Sequence, residues 1–161
     1  MHVDDLEAAL AAPALERFAD LRVQVAGPLE VGSVAGGVRR VVPIIGGSVE
    51  GRGWRGRVLA GGADFQLVFS PRAARLEARY VVETDAGDRI YVRNDAVRTA
   101  PEAVMARLLR GEAVDPREVY FRCAPTFETA SASLAWIMER AFVGTGLRRP
   151  EEVVMRFFEL R

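Results

Sequence analysis

The chain has 161 residues, with 22 arginines, no lysine and 22 acidic residues, and its single His and single Cys stand at positions 2 and 123. That composition leaves no lysine for imine chemistry, no His placed for a Ser-His-Asp or Cys-His pair, and too few His and Cys ligands for zinc. Zero formal net charge gives no overall pull toward nucleic acid, and no apolar run approaches the ~18 residues that span a bilayer.

Asp4 to Ala12 reads as a short helix, with Asp4 or Asp5 as its cap, Leu6, Ala9 and Leu10 as an apolar stripe, and Pro13 as its stop. Residues 1–13 are thus an N-terminal helical extension. The period then changes to two. Leu21, Val23 and Val25 alternate with Arg22 and Gln24 until Gly27-Pro28 breaks the run. Val38 to Ile45 is a β-branched strand followed by Gly46-Gly47 as a turn. Val49-Glu50, Arg57 to Ala60 and Phe65 to Phe69 are further short strands among glycines.

Arg75 to Thr84 is the clearest strand. Leu76, Ala78, Tyr80, Val82 and Thr84 point one way, and Arg75, Glu77, Arg79, Val81 and Glu83 the other. After the turn Asp85-Ala86-Gly87-Asp88, Arg89 to Asn94 returns as a hairpin. Pro101 to Arg110 is a helix with Val104, Met105, Leu108 and Leu109 buried and Gly111 at its end. Strands resume at Glu118 to Cys123, Thr126 to Thr129, Leu134 to Val143 and Val153 to Leu160. The fold class is all-β: a single-domain antiparallel β-barrel of about ten strands with one or two short helices.

Gly51-Arg52-Gly53-Trp54-Arg55-Gly56 matches the dinucleotide fingerprint, but a strand rather than a helix follows it, so it reads as a turn. Asp64 and Gln66 share a strand face. If that face looks inward, an acid and an amide enter the lumen together; otherwise they are solvated. Glu83 shares a strand face with Arg79 and Glu77, and is either part of a cross-strand ion pair on the outside or a general base in a dry cavity. Tyr80 reads as a core aromatic. Arg122 is placed to clamp a carboxylate, with Glu128 to neutralise it or act as acid/base, and a structural Arg-Glu bridge explains the same residues. Cys123 reads as a small buried hydrophobe, and Trp136 as core or cavity wall.

Several blocks resemble a known family. They are Arg39-Arg40-Val41-Val42-Pro43-Ile44 leading to Gly46-Gly47-Ser48, Gly61-Gly62-Ala63-Asp64-Phe65-Gln66, and Ala78-Arg79-Tyr80 with Glu83-Thr84-Asp85 and Gly87. Further on come Tyr120-Phe121-Arg122 with Phe127-Glu128-Thr129, and Ala135-Trp136 with Phe142-Val143-Gly144-Thr145-Gly146. In that order, over residues 14–160, they resemble the family called domain of unknown function 3237. The resemblance implies a small all-β barrel, found in bacteria and fungi, with no generally assigned activity. Phe65 stands where the family commonly has Trp, and Met138 where it commonly has Asn.

Two functional readings follow. In the first, the barrel binds a small, partly apolar organic molecule and carboxylates transfer protons on it, in isomerisation or elimination. Glu83, Glu128 and Asp64 are the catalytic candidates; Gln66, Tyr80, Arg122, Phe127 and Trp136 are the ligand-binding ones. This reading requires an internal cavity lined by at least three of the polar residues Asp64, Gln66, Glu83, Arg122 and Glu128, beside aromatic walls. No metal or other cofactor is called for, nor a nucleic-acid or membrane partner. In the second, the chain is a non-catalytic homo-oligomeric structural or interaction module whose polar residues are ion pairs. A single cysteine and an acidic start lacking a basic leader place the chain in the cytoplasm by default.

Overall fold

Alternation with a period of two makes each strand of this chain a wall with an apolar side and a charged side. The computed structural model describes residues 3–161; the capping expected of Asp4 or Asp5 falls on side chains outside that description. The strands are β1 (Leu15–Val25), β2 (Leu29–Val34), β3 (Gly37–Gly51), β4 (Trp54–Val58) and β5 (Gly62–Ser70). They continue with β6 (Ala73–Thr84), β7 (Arg89–Thr99), β8 (Tyr120–Thr129), β9 (Phe142–Arg148) and β10 (Glu152–Leu160). All pairings are antiparallel. Eight of the strands close on themselves in the order β1-β10-β9-β8-β7-β6-β5-β3 and back to β1. β4 bridges β3 and β6, and β2 lies on the outer edge of β3. Among the described residues no helix is long and apolar enough to cross a membrane.

β3 makes closure possible. Its first half, Val38–Ile44, pairs with β5, and its second half, Ser48–Gly51, pairs with β4 while Gly46–Gly51 pairs with β1. The expected turn at Gly46-Gly47 is instead extended chain inside one 15-residue strand. Gly47 sits at φ +143°, and a Cβ there would come within 2.1 Å of the Arg22 carbonyl oxygen. Only a residue without a side chain allows β3 to bend from one partner to the next at that spacing.

Other boundaries also differ from the sequence reading. The N-terminal helix, α1, covers only Val3–Glu7, because Leu6 and Leu10 are exposed and give its stripe nothing to pack on. β2 was not foreseen: its pattern is exposed on both sides and carries no alternation. The two strands expected at Glu118–Cys123 and Thr126–Thr129 are one, β8, which starts at Tyr120 and runs through Pro125. The proline is tolerated because the β9 ladder stops at Cys123, leaving that edge of β8 unpaired. Leu134–Val143 is not a strand. Ala132–Glu139 coils as a tight helical segment that buries Leu134 and Ile137, a three-residue spacing, and β9 begins only at Phe142. The internal helix, α2, spans Glu102–Leu109 as expected and buries Val104, Met105 and Leu108.

One end of the tube is filled with aromatic rings. Phe18, 1% exposed, has ring centroids 4.8 Å from Phe142, 5.5 Å from Phe127, 5.6 Å from Trp136 and 6.0 Å from Trp54. Phe157 packs on Phe127 at 6.0 Å. Arg52 crosses this end with its guanidinium 5.3 Å from the Trp136 ring and donates to Glu159 at 2.7 Å. Paired backbone hydrogen bonds between Ala14 and Arg161 tie the two chain ends beside it. Phe18→Ala removes the centre of this plug and costs about 3–5 kcal/mol, to be read as a lower urea midpoint at unchanged slope.

Candidate functional site

The opposite end of the tube is not filled. Going up from the aromatic plug, Tyr80, Asn94 and Asp64 replace the rings, and above them stand Gln66, Arg98 and Arg148. These groups, with Val23, Leu76, Ala96, Phe121 and Met155 among the apolar walls, surround an internal shaft of about 40 Å³. Outside it lies a cleft of about 1050 Å³, bounded by Arg40, the Ala26-Gly27-Pro28 bend, Ile45, and Leu108 to Gly111 at the end of α2. Val25, Val42, Gln66, Arg98 and Arg148 line both spaces and form the neck between them.

The strands place these groups by simple alternation. On β7 Ile90, Val92, Asn94, Ala96 and Arg98 all turn inward and are buried. On β3 Arg40, Val42 and Ile44 do the same, and on β5 Asp64 precedes the inward Gln66 and Val68. The Gln66 amide donates to Asp64 Oδ2 at 2.8 Å. Asp64 Oδ1, the Tyr80 hydroxyl, Asn94 Oδ1 and Arg98 Nε are buried and have no hydrogen-bond partner among the described residues, and all four side chains line the shaft.

Burial dominates the titration of these groups. It raises the Asp64 carboxyl above its ordinary range, although the Gln66 hydrogen bond and the Arg98 charge pull the other way. It pushes the Tyr80 hydroxyl up, and pushes the Arg98 guanidinium down to about 10. Cys123, 6% exposed, is pushed up to about 12 by the same desolvation, so its thiol stays protonated at neutral pH.

The structure divides the eight residues singled out from sequence. It brings Asp64, Gln66 and Tyr80 together in the shaft, so that only two of the five polar residues expected to line a cavity do so, one fewer than that reading required. Phe127 and Trp136 belong to the aromatic plug at the other end. Glu83 stands on the outer wall, where Arg57 at 2.8 Å and Arg89 at 3.0 Å bind it and draw its pKa below the usual range. The Arg79 expected beside it pairs with Asp95 instead. Glu128 is exposed on β8. Arg122 is exposed as well, with its guanidinium 5.0 Å from the Tyr120 ring and donating to the Phe121 carbonyl.

Sequence reasoning did not single out Arg40, Asn94, Arg98 and Arg148. For Asn94 and Arg98 the signal was present: continuing the Ile90, Val92 alternation past residue 94 puts both on the inner face. Arg40 follows likewise from Val42 and Ile44. Arg148, beside Arg149 and Pro150, looks like part of a turn until β9 and β10 are paired.

The Protein of unknown function (DUF3237) family model matches residues 13–160. The UPF0311 protein RPA1785 of Rhodopseudomonas palustris is 44% identical over 124 residues, covering 77% of this chain and 81% of that one. Its crystal structure superposes with a TM-score of 0.89 over 94% of this chain and 99% of that chain, at 35% identity. The UPF0311 protein CA_C3321 of Clostridium acetobutylicum is 41% identical over 77% of this chain and 78% of its own. A beta-barrel like protein of Acinetobacter baumannii superposes with a TM-score of 0.82 at 34% identity, over 94% of this chain and 98% of its own. The closed antiparallel barrel and the ordered sequence blocks agree with these matches: the UPF0311 proteins of Rhodopseudomonas palustris and Clostridium acetobutylicum are relatives of this chain, and the chain belongs to the DUF3237 family.

Proposed function

We propose that the barrel binds a small, partly apolar organic molecule through its open end, and that Asp64 moves a proton on that molecule. The observation that carries this reading is the convergence of four buried, unpartnered polar atoms on one cavity beside apolar walls. A buried polar atom without a partner costs about 1–3 kcal/mol, and a ligand supplying the complementary groups recovers it. The fold transfers no chemistry by itself; the groups inside it do.

Asp64 suits acid/base work. Gln66 holds Oδ2 and leaves Oδ1 open, and a raised pKa brings the carboxyl nearer to the pH at which it both takes and gives a proton. In an isomerisation Oδ1 takes a proton from the carbon next to a carbonyl. The electron pair moves onto the carbonyl oxygen, which the Tyr80 hydroxyl and Arg98 stabilise as donors. Returning the proton to another carbon restores Asp64, so no oxidant or reductant is consumed.

Ala78→Leu, which fills the shaft, weakens binding of an uncharged aromatic ketone by about tenfold or more while the fold is retained; calorimetric titration checks this, and undiminished affinity would sink the binding reading. For catalysis, a β,γ-unsaturated cyclic ketone is a suitable probe. The parent shifts it to the conjugated isomer faster than buffer does, and Asp64→Asn lowers the rate by about a hundredfold. A parent rate equal to buffer removes the catalytic half only.

The raised pKa of Asp64 also sets a stability trend. Its contribution is full below the unfolded value of 3.8 and is lost as pH rises through the higher folded value. Relative to the parent, Asp64→Asn therefore gains Tm progressively as the pH of the melting experiment is raised from acid to neutral.

A second reading, assembly with further copies of the chain, is favoured by β2. Its outer edge ends the sheet order, and Leu29, Val31 and Val34 are exposed along it. Light scattering over a wide concentration range checks it: the expected result is a dimer that Val31→Lys dissociates, and a parent that stays monomeric throughout rejects it.

A further inference from the structure

Among the mouth residues the charges do not balance. Three guanidinium groups, Arg40, Arg98 and Arg148, meet two acids, Glu30 and Asp64. Arg40 uses the first, with its Nε 3.0 Å from Glu30 Oε1. Arg98 is 3% exposed, and no carboxylate of the described residues comes within 4.0 Å of it. Its neighbours are the Phe121 ring, 5.9 Å from the guanidinium carbon, and Asp64 beyond contact distance. Among the described residues Arg148 donates only to the backbone carbonyls of Arg149 and Glu152. The cations are near enough to disfavour one another, since Arg148 and Arg40 both add to the depression of Arg98 that burial begins.

The outer rim does not supply the missing charge. Arg110 is held by Glu112 at 3.2 Å, and Arg149 by Glu152 at 2.7 Å. Glu151 lies exposed at the edge of the cleft, where water screens it. A buried guanidinium facing a cavity, without an acid of its own, is stable only at a cost that a bound anion removes.

The surroundings say what kind of anion. Val25 and Val42 flank Arg98 and Arg148 at the neck, and Leu108, Leu109 and Ile45 line the cleft outside. The 40 Å³ shaft takes only a few atoms, so the bulk of any ligand remains in the 1050 Å³ cleft. We propose that the neck is an anion subsite: the ligand is an organic acid whose carboxylate sits between Arg98 and Arg148, with its apolar body in the cleft under the end of α2. Guanidinium groups match a planar carboxylate by donating to both oxygens, which a single ammonium does not do. The inference rests on the small-molecule reading above and adds the charge of the ligand and its orientation.

The test is calorimetric titration of the full chain with a matched pair, benzoate and benzamide, and separately with inorganic phosphate. In the parent, benzoate binds at least about tenfold more tightly than benzamide. Arg98→Met and Arg148→Met each bring that ratio close to one, whereas Arg93→Met, on the outer wall, leaves the ratio intact. Equal affinities in the parent, or a ratio that survives both neck substitutions, overturn the anion subsite while the small-molecule reading stands. Phosphate binding as tightly as benzoate overturns the organic acid. If neither aromatic compound binds, the small-molecule reading fails and takes this one with it.

A measurement without ligand keeps the inference open to refutation if the titrations are weak. A ligand-binding arginine buried without a partner burdens the empty protein, so Arg98→Met raises the Tm of the unliganded chain by roughly 3 °C or more. A fall of similar size identifies Arg98 as structural and overturns the proposal.

Discussion

The structure depends on one constraint, closure of the hydrogen-bonded ladder. Once β1 pairs with both β10 and β3, the wall has no gap, and every second residue of eight strands must share a narrow interior. An eight-stranded tube is just wide enough for side chains to fill or for one small ligand to enter. Whatever the inward residues are, they meet each other. Large rings therefore make a plug, and small or polar residues make a shaft. In this chain Phe18, Phe127, Phe142 and Phe157 take one end, and Asp64, Tyr80, Asn94 and Arg98 occupy the other.

The two ends differ in how fully their buried groups are satisfied. At the plugged end the rings bury apolar area, Arg52 and Glu159 pair beside them, and Ala14 and Arg161 tie the termini together. At the open end polar atoms are taken out of water without full compensation, which weakens the fold locally. Such sites persist where they do chemistry or hold a ligand. The outer wall carries a different electrostatics altogether: Glu83, Asp20 and Asp115 are satisfied by arginines in water-exposed pairs. A chain with 22 arginines and no lysine thus uses one residue type for surface pairing outside and for unpaired positive charge inside.

Much of the fold was legible because a strand writes its two faces into the sequence. The alternation of β6 from Leu76 to Thr84 assigned its inner face correctly, and the helix from Pro101 was marked by its apolar stripe. Asp64 and Gln66 could be seen to share a face. What misled was charge at an inward position. Arg40 and Arg98 look like solvated residues, since arginine is seldom buried, and only continued alternation argues otherwise. Conversely, Glu83, Arg122 and Glu128 suggest chemistry by type, and the pleat turns them outward.

By itself the sequence determined an antiparallel all-β barrel of about ten strands, the two faces of the strands with clear alternation such as Arg75–Thr84, and carboxylates as the available proton carriers. Those properties are local: they follow from period two, from glycine and proline, and from which residue types are present. The tertiary structure decided which inner faces meet, that Gly46-Gly47 is a bend inside β3, that residues 132–139 coil beneath the plug, and that Arg98 and Arg148 line one neck, with Asp64 the only acid of the described residues in the shaft beside them. Those are matters of register between strands distant in sequence, fixed only when the last pairing closes the barrel.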